Sequence, residues 1–183
     1  MRSKENVNRL NWGCGNTHPP GWINSDIKSG HGIQVVADIR DGLPIATDNF
    51  DYAVSVHALP ELGYRELLPA LRELRRVLKP GGTLRLVLPD LLKSVDAFRA
   101  GERDYFAVPD EEMERLGSKL AVQLIWLGYT RSVFTPDFIE ELLLKAGFSA
   151  VHHCAFKQTR SGWPEIVELD NRERESLFVE GVK

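Results

Sequence analysis

The chain has 183 residues, 43% of them hydrophobic and 27% charged, the proportions of an ordinary globular protein and the length of one domain that buries about 70% of its unfolded surface. A net charge of −3 and the lack of any lysine- or arginine-rich tract disfavour docking on nucleic-acid phosphates. No apolar run approaches the ~20 residues that span a membrane, the polar start Met1–Asn8 lacks the apolar core of a signal peptide, and Cys14 and Cys154 form neither a disulfide framework nor a zinc pattern. The expectation is a cytoplasmic setting, no metal and no membrane partner.

Short runs rich in Val, Ile and Leu, bounded by Gly, Pro or Asp, predict strands at Val7–Trp12, Trp22–Ser25, Ile33–Ala37, Tyr52–Val56 and Thr83–Leu88. Between the fourth and fifth, Leu67, Leu68, Leu71, Leu74 and Leu78 mark a helix that stops at Lys79-Pro80-Gly81-Gly82. Leu91, Leu92, Val95 and Phe98 predict another helix, ending at Gly101. A further helix is expected from about Glu111 to Leu127, with acidic residues in its first turn. Thr135-Pro136-Asp137 opens a helix that runs to Ala146-Gly147. Val151–Phe156 and Leu177–Val182 read as closing strands. Strand, helix and strand alternate through the first half, which predicts a doubly wound α/β sheet.

Only nine residues separate Gly13 from Ile23, and Pro19 and Pro20 are among them. A parallel crossover usually takes a dozen or more and includes a helix. Nine extended residues reach roughly 30 Å, enough to return along a strand of about 17 Å. The first crossover helix is therefore expected to be reduced or absent.

In an open parallel sheet, ligands sit beyond the carboxyl ends of the strands. Here the first strand enters the bend Gly13-Cys14-Gly15, the second ends at Asp26 and the third at Asp38. Glycines admit positive φ and leave room for a ligand against the backbone, and the carboxylates can accept from hydroxyl and amino groups. A nucleoside-bearing cofactor fits this set. A dinucleotide would need a third glycine where His18 stands, an immediate helix for its pyrophosphate, and an acid about twenty residues on. An NAD(P)-linked oxidoreductase is thus disfavoured.

Leu10-Asn11-Trp12-Gly13-Cys14-Gly15-Asn16, Gly21–Ile27, Val36–Ile39, Phe50–His57 and Leu74–Gly82 occur in an order and spacing that resemble the class I S-adenosylmethionine (SAM) dependent methyltransferases, in particular their small type 11-like branch. The resemblance is strong over roughly residues 8–90 and resumes from Phe134. It implies a Rossmann-like sheet of seven mostly parallel strands, with the last inserted antiparallel near one edge. It also implies SAM as cofactor and S-adenosylhomocysteine as product. By the same resemblance, Gly13, Cys14, Gly15, Asp26, Ile27, Asp38, Ile39, Val56 and His57 line the cofactor site. Asp26 would accept the ribose hydroxyls and Asp38 the adenine amino group, with Ile39 as an apolar wall; the alternative for each acid is a turn or cap. His57 stands where a substrate proton could be accepted, or where it packs against the cofactor or caps the next turn.

Asp90, Tyr129 and Arg131 are expected to face the acceptor, with 91–134 as its cover within a single domain 1–183. The chain departs from its relatives at Leu59-Pro60-Glu61-Leu62, where they commonly carry a Glu-His pair. The reading is methyl transfer to oxygen or nitrogen of a small-molecule or glycan-like acceptor. The alternative from another class is a non-catalytic SAM-binding module. Oligomeric state does not follow from the chain.

Overall fold

The computed structural model describes residues 7–183, and all their side chains except that of Leu127; the expectation placed on Met1–Asn6 lies outside the described residues. The elements are β1 (Arg9–Trp12), β2 (Ile23–Asp26), β3 (Val35–Val36), β4 (Phe50–Val56), α1 (Tyr64–Val77), β5 (Leu78–Pro89), α2 (Leu91–Ala100), α3 (Leu116–Ile125), α4 (Pro136–Ala146), β6 (Ala150–Cys154) and β7 (Ser176–Val182), with short 3-10 turns between several of them. They form one seven-stranded sheet of order β3-β2-β1-β4-β5-β7-β6. Only β7 runs antiparallel to its neighbours. The Rossmann-like expectation therefore holds, including the late antiparallel insertion.

The two faces of the sheet are covered differently. Leu67, Leu71, Leu74 and Val77 of α1 and Ile139, Leu142 and Leu143 of α4 pack on Leu10, Ala53, Leu84, Leu86 and Val179. The opposite face carries Tyr52 and Val54 of β4, since side chains alternate along a strand. The β1–β2 and β2–β3 crossovers contain no helix to shield that side. The β6–β7 connection does so instead: Trp163, Ile166 and Leu169 close over Trp22, Tyr52 and Val54.

That connection is pinned from within the sheet. Arg85 of β5 is fully buried; its guanidinium forks onto Asp170 (2.6 and 2.7 Å) and also reaches Glu180 Oε1 of β7 (2.8 Å). Glu180 in turn accepts from Thr159 Oγ1 (2.6 Å) and the Arg160 N–H (3.0 Å). The cation thus ties both ends of 155–175 to the strands beneath.

Where helices are missing near β2, side-chain amides fill in. Asn11 Nδ2 donates to Asn24 Oδ1 (3.0 Å) and the Thr17 carbonyl (2.8 Å), and Asn24 Nδ2 donates to the Gly32 carbonyl (3.1 Å). Both loops are held to the sheet by buried polar groups that are themselves satisfied.

Several boundaries differ from expectation. β3 is only two residues long, because Gln34 uses its side chain, through Oε1, to accept the Asn24 N–H (2.8 Å). Helix α1 stops at Val77, and Leu78 already pairs with Phe50. Pairing then jumps to Tyr52 with Thr83, so Lys79–Gly82, just past the end of the helix, bulges out within β5. The helix expected from Glu111 begins only at Leu116. Asp110 is held by Arg103 (2.9 Å) and by Lys119 (2.7 Å), an arrangement that keeps the preceding residues in turns. At its other end, Trp126 takes a left-handed conformation (φ 42°) and closes the helix before Leu127.

Candidate functional site

A cavity of about 1190 Å³ opens at the carboxyl ends of β1, β2, β4 and β5. Its wall includes Gly13, Cys14, Gly15, Asp26, Ile27, Asp38, Ile39, Val56, His57, Asp90, Tyr129 and Arg131. Every site residue singled out from the sequence is therefore brought to one place.

The glycine bend is built by backbone bonds to the next strand. Gly13 and Cys14 donate to the Ser25 carbonyl (2.8 and 3.1 Å), and the Gly15 N–H donates to Asp26 Oδ2 (2.9 Å). Gly13 has φ +65°, and a Cβ there would lie 2.1 Å from the Ala58 Cβ, so only glycine lets the β1 bend touch the residue after β4. Gly15, φ +51°, faces open space. Cys14 is buried, and burial together with the Asp26 charge pushes its thiol pKa up, which keeps it protonated.

Asp26 also accepts the Lys28 N–H through Oδ1 (3.0 Å). Asp38 caps the 3-10 turn Ile39–Asp41 by accepting the Arg40 N–H (3.0 Å), and the Arg40 guanidinium lies on both its oxygens. Hydrogen bonds from Arg40 hold this carboxyl below the usual range. Asp38 is thus both a cap and a wall residue, and a ligand amine there shares the carboxylate with Arg40.

His57 lies half-buried in the cavity wall with φ +57°. Its Nε2 shares a hydrogen bond with Ser176 Oγ (2.8 Å). Burial and the nearby Arg172 push its pKa down to about 3, so the imidazole is neutral at physiological pH. Asp90 lines the cavity and also caps α2 by accepting the Leu92 N–H (2.9 Å). Tyr129 and Arg131 lie at the rim, and Arg131 reaches Glu66 Oε2 of α1 (3.1 Å).

The structure adds residues that the sequence did not flag. Arg172 stands over the Trp126 ring, 5.3 Å from its centroid, and pairs with Glu175 (3.2 Å); Gln123 of α3 reaches Glu175 from the other side (3.3 Å). All four belong to the cavity wall. Arg172 and Glu175 come from the β6–β7 connection, whose position over the sheet has no local sequence signal. Among the described residues, no group of three or more His, Cys, Asp or Glu side chains could hold a metal ion.

The residues present fit SAM. A bare glycine bend meets two carboxylates at successive strand ends, and the bend leads into a loop rather than a helix N-terminus, so it offers no pyrophosphate seat of the kind a dinucleotide uses. The volume exceeds the ~300–1,000 Å³ usual for one small ligand, leaving space for an acceptor beside the cofactor.

Comparison with known proteins agrees. A family described as a methyltransferase domain matches residues 11–86. A SAM-dependent methyltransferase of Thermotoga maritima, described as a possible histamine N-methyltransferase, superimposes with a TM-score of 0.58 at 18% identity, over 97% of this chain and 83% of that one. A SAM-dependent methyltransferase from Archaeoglobus fulgidus gives 0.60 at 15% identity, over 98% and 87%. A putative methyltransferase of Haloferax volcanii, solved in complex with the Trm112 methyltransferase activator, gives 0.56 at 16%, over 100% and 84%. No curated protein matches the chain significantly. At such identities the structural likeness establishes the fold alone, that of SAM-dependent methyltransferases, and residues 11–86, less than half of the chain, are similar to a methyltransferase domain.

Proposed function

We propose that the protein transfers the methyl group of SAM to an oxygen or nitrogen of a small-molecule or sugar-like acceptor held under residues 91–134, all within one domain. The observation that carries this reading is the continuity of the cavity: the glycine bend, Asp26 and Asp38 share it with Ser94, Gln123, Trp126, Tyr129 and Arg131 of the covering segment. In this reading Asp26 accepts the ribose hydroxyls, Asp38 and Ile39 receive the adenine, Gly13–Gly15, Ile27 and Val56 shape the remaining wall, and Asp90, Tyr129 and Arg131 orient the acceptor. His57, neutral and tethered to Ser176, acts as a hydrogen-bonding wall beside the reacting atoms.

When bound, the cofactor supplies both the electrophilic methyl carbon and the leaving group. The protein's main task is then placement. Holding the acceptor atom about 3–3.5 Å from the methyl carbon is worth roughly 7–11 kcal/mol, whereas a general base adds about 10²–10⁴-fold, or about 3–5 kcal/mol. An acceptor of modest size suits a net charge of −3 better than a nucleic acid does. Two free cysteines suit the reducing cytoplasm; among the described residues no helix is long and apolar enough to cross a membrane.

The test has two stages. Calorimetry measures SAM binding. Mass spectrometry then measures S-adenosylhomocysteine release with a panel of monosaccharides, catechols and primary amines. SAM binding with product from at least one acceptor supports the reading. Binding without turnover on any of them removes it in favour of a SAM-binding regulatory module.

A further inference from the structure

Five carboxylates belong to the cavity wall: Asp26, Asp38, Glu61, Asp90 and Glu175. Four are engaged. Asp26 accepts from the Gly15 and Lys28 N–H groups, Asp38 from Arg40, Asp90 from the Leu92 N–H, and Glu175 from Arg172 and Gln123. The Glu61 side chain, exposed at the cavity wall, has no hydrogen-bond or ion-pair partner among the described residues. The other candidate proton acceptor, His57, is bonded to Ser176 Oγ.

The Glu61 backbone is nonetheless fixed. Glu61 ends a 3-10 turn directly after β4, with Leu59 and Pro60 buried beneath it. The Pro60 carbonyl accepts both the Arg131 N–H (2.8 Å) and the Ser132 N–H (3.1 Å), and the Leu62 carbonyl accepts Ser132 Oγ (2.7 Å). The turn that carries Glu61 is therefore clamped on both sides to the segment covering the acceptor space. A rigid backbone presenting an unpaired carboxylate to a cavity is what a proton acceptor requires.

We propose that Glu61 is the catalytic base of the methyl transfer, taking the proton of a hydroxyl or amine acceptor. This rests on the methyltransferase reading above. The acceptor heteroatom uses its lone pair to form the bond to the methyl carbon as the carbon–sulfur bond breaks, its electron pair passing to sulfur. The proton released from the heteroatom goes to the Glu61 carboxylate and thence to water.

The charges acting on Glu61 suit the task. Burial and the Asp26 charge raise its pKa, and Lys28 opposes them; Arg131, from the cover, is engaged with Glu66. A raised pKa strengthens a carboxylate as a base.

The experiment compares wild type, Glu61→Gln and Glu61→Asp on any acceptor the panel identifies. SAM affinity is measured by calorimetry, and the Glu61 carboxyl is titrated by 13C NMR. Glu61→Gln should lower kcat by about 10²–10⁴-fold with SAM affinity unchanged. The acidic limb of the wild-type kcat/KM profile should disappear in this variant and return in Glu61→Asp. The carboxyl should titrate above the ordinary glutamate range. Unchanged turnover in Glu61→Gln overturns the assignment. So does weakened SAM binding with kcat retained, which makes Glu61 a cofactor ligand. Absence of turnover by SAM-bound wild type on the whole panel overturns the enzymatic reading itself, and is told apart by needing no variant.

Discussion

Replacing Arg85 by methionine tests how the helix-free face of the sheet is held. The guanidinium is fully buried and makes five hydrogen bonds: two to Asp170, one to Glu180 and one each to the Gln158 and Ala155 carbonyls. Removing it leaves two buried carboxylates with no cation. Asp170 then keeps the Lys157 N–H (2.9 Å), and Glu180 keeps Thr159 and Arg160. Breaking a buried pair by deleting one partner costs about 3–5 kcal/mol. In a chain of this length each kcal/mol moves Tm by about 2–4 °C, so Arg85→Met should lower Tm by about 6–20 °C.

Arg85→Lys keeps the charge but cannot fork onto one carboxylate while reaching another, so it should fall between. Replacing Arg85, Asp170 and Glu180 together by apolar residues should recover most of the loss, because no buried charge remains. Differential scanning calorimetry of the three variants decides the matter. A Tm within about 2 °C of wild type for Arg85→Met would refute the reasoning, since it would mean the connection is held without its cation. The same variant should weaken acceptor binding, because Asn171, Arg172 and Glu175 of the cavity wall follow Asp170 directly.

Asp26→Ala should weaken SAM binding about 10- to 150-fold, the equivalent of one or two charge-assisted hydrogen bonds, and calorimetry showing unchanged affinity would remove Asp26 from the cofactor site. Gly13→Ala should destabilise the fold, because its Cβ would fall 2.1 Å from the Ala58 Cβ and because positive φ costs a non-glycine residue about 1–2 kcal/mol; adding Ala58→Gly should restore only the steric part, a split read from urea denaturation. His57 should make stability depend on pH. Its folded pKa of about 3 lies below the unfolded value near 6.5, so between those limits the unfolded state binds the extra proton and stability falls as pH drops. The full window is worth up to about 5 kcal/mol. His57→Asn, which tolerates the left-handed backbone, should flatten the Tm–pH curve below pH 6 relative to wild type, and parallel curves would contradict the assignment.

Much of the site was legible in the chain. The β1 bend needs two glycines for a steric reason confined to a few residues, and Asp26 and Asp38 end strands whose apolar runs are themselves local. The missing crossover helix followed from counting residues between Gly13 and Ile23. Alternation along β4 and β5, and the leucine stripe of α1, likewise express nearest-neighbour geometry. These features were determined by the sequence alone.

Other features were decided only in three dimensions. Arg85 sits in Leu84-Arg85-Leu86-Val87-Leu88, where alternation alone would send it to water; it is buried because Glu180 of β7, 95 positions on, pairs beside it and Asp170 of the connection, 85 positions on, also binds it. Lys79–Gly82 has the composition of a helix stop, and α1 does end just before it, but its bulge within β5 follows only from the pairing of Leu78 and Thr83 with β4 on either side. Glu111 and Glu112 suit a first helical turn, but Asp110 is claimed by Arg103 and Lys119. Glu61 could be seen as a departure from the family pattern, but not as the unpaired carboxylate of the cavity wall. Local patterns express the backbone's short-range preferences. Which polar groups end up paired, and which are left to meet a ligand, depends on contacts that form only once distant segments have packed.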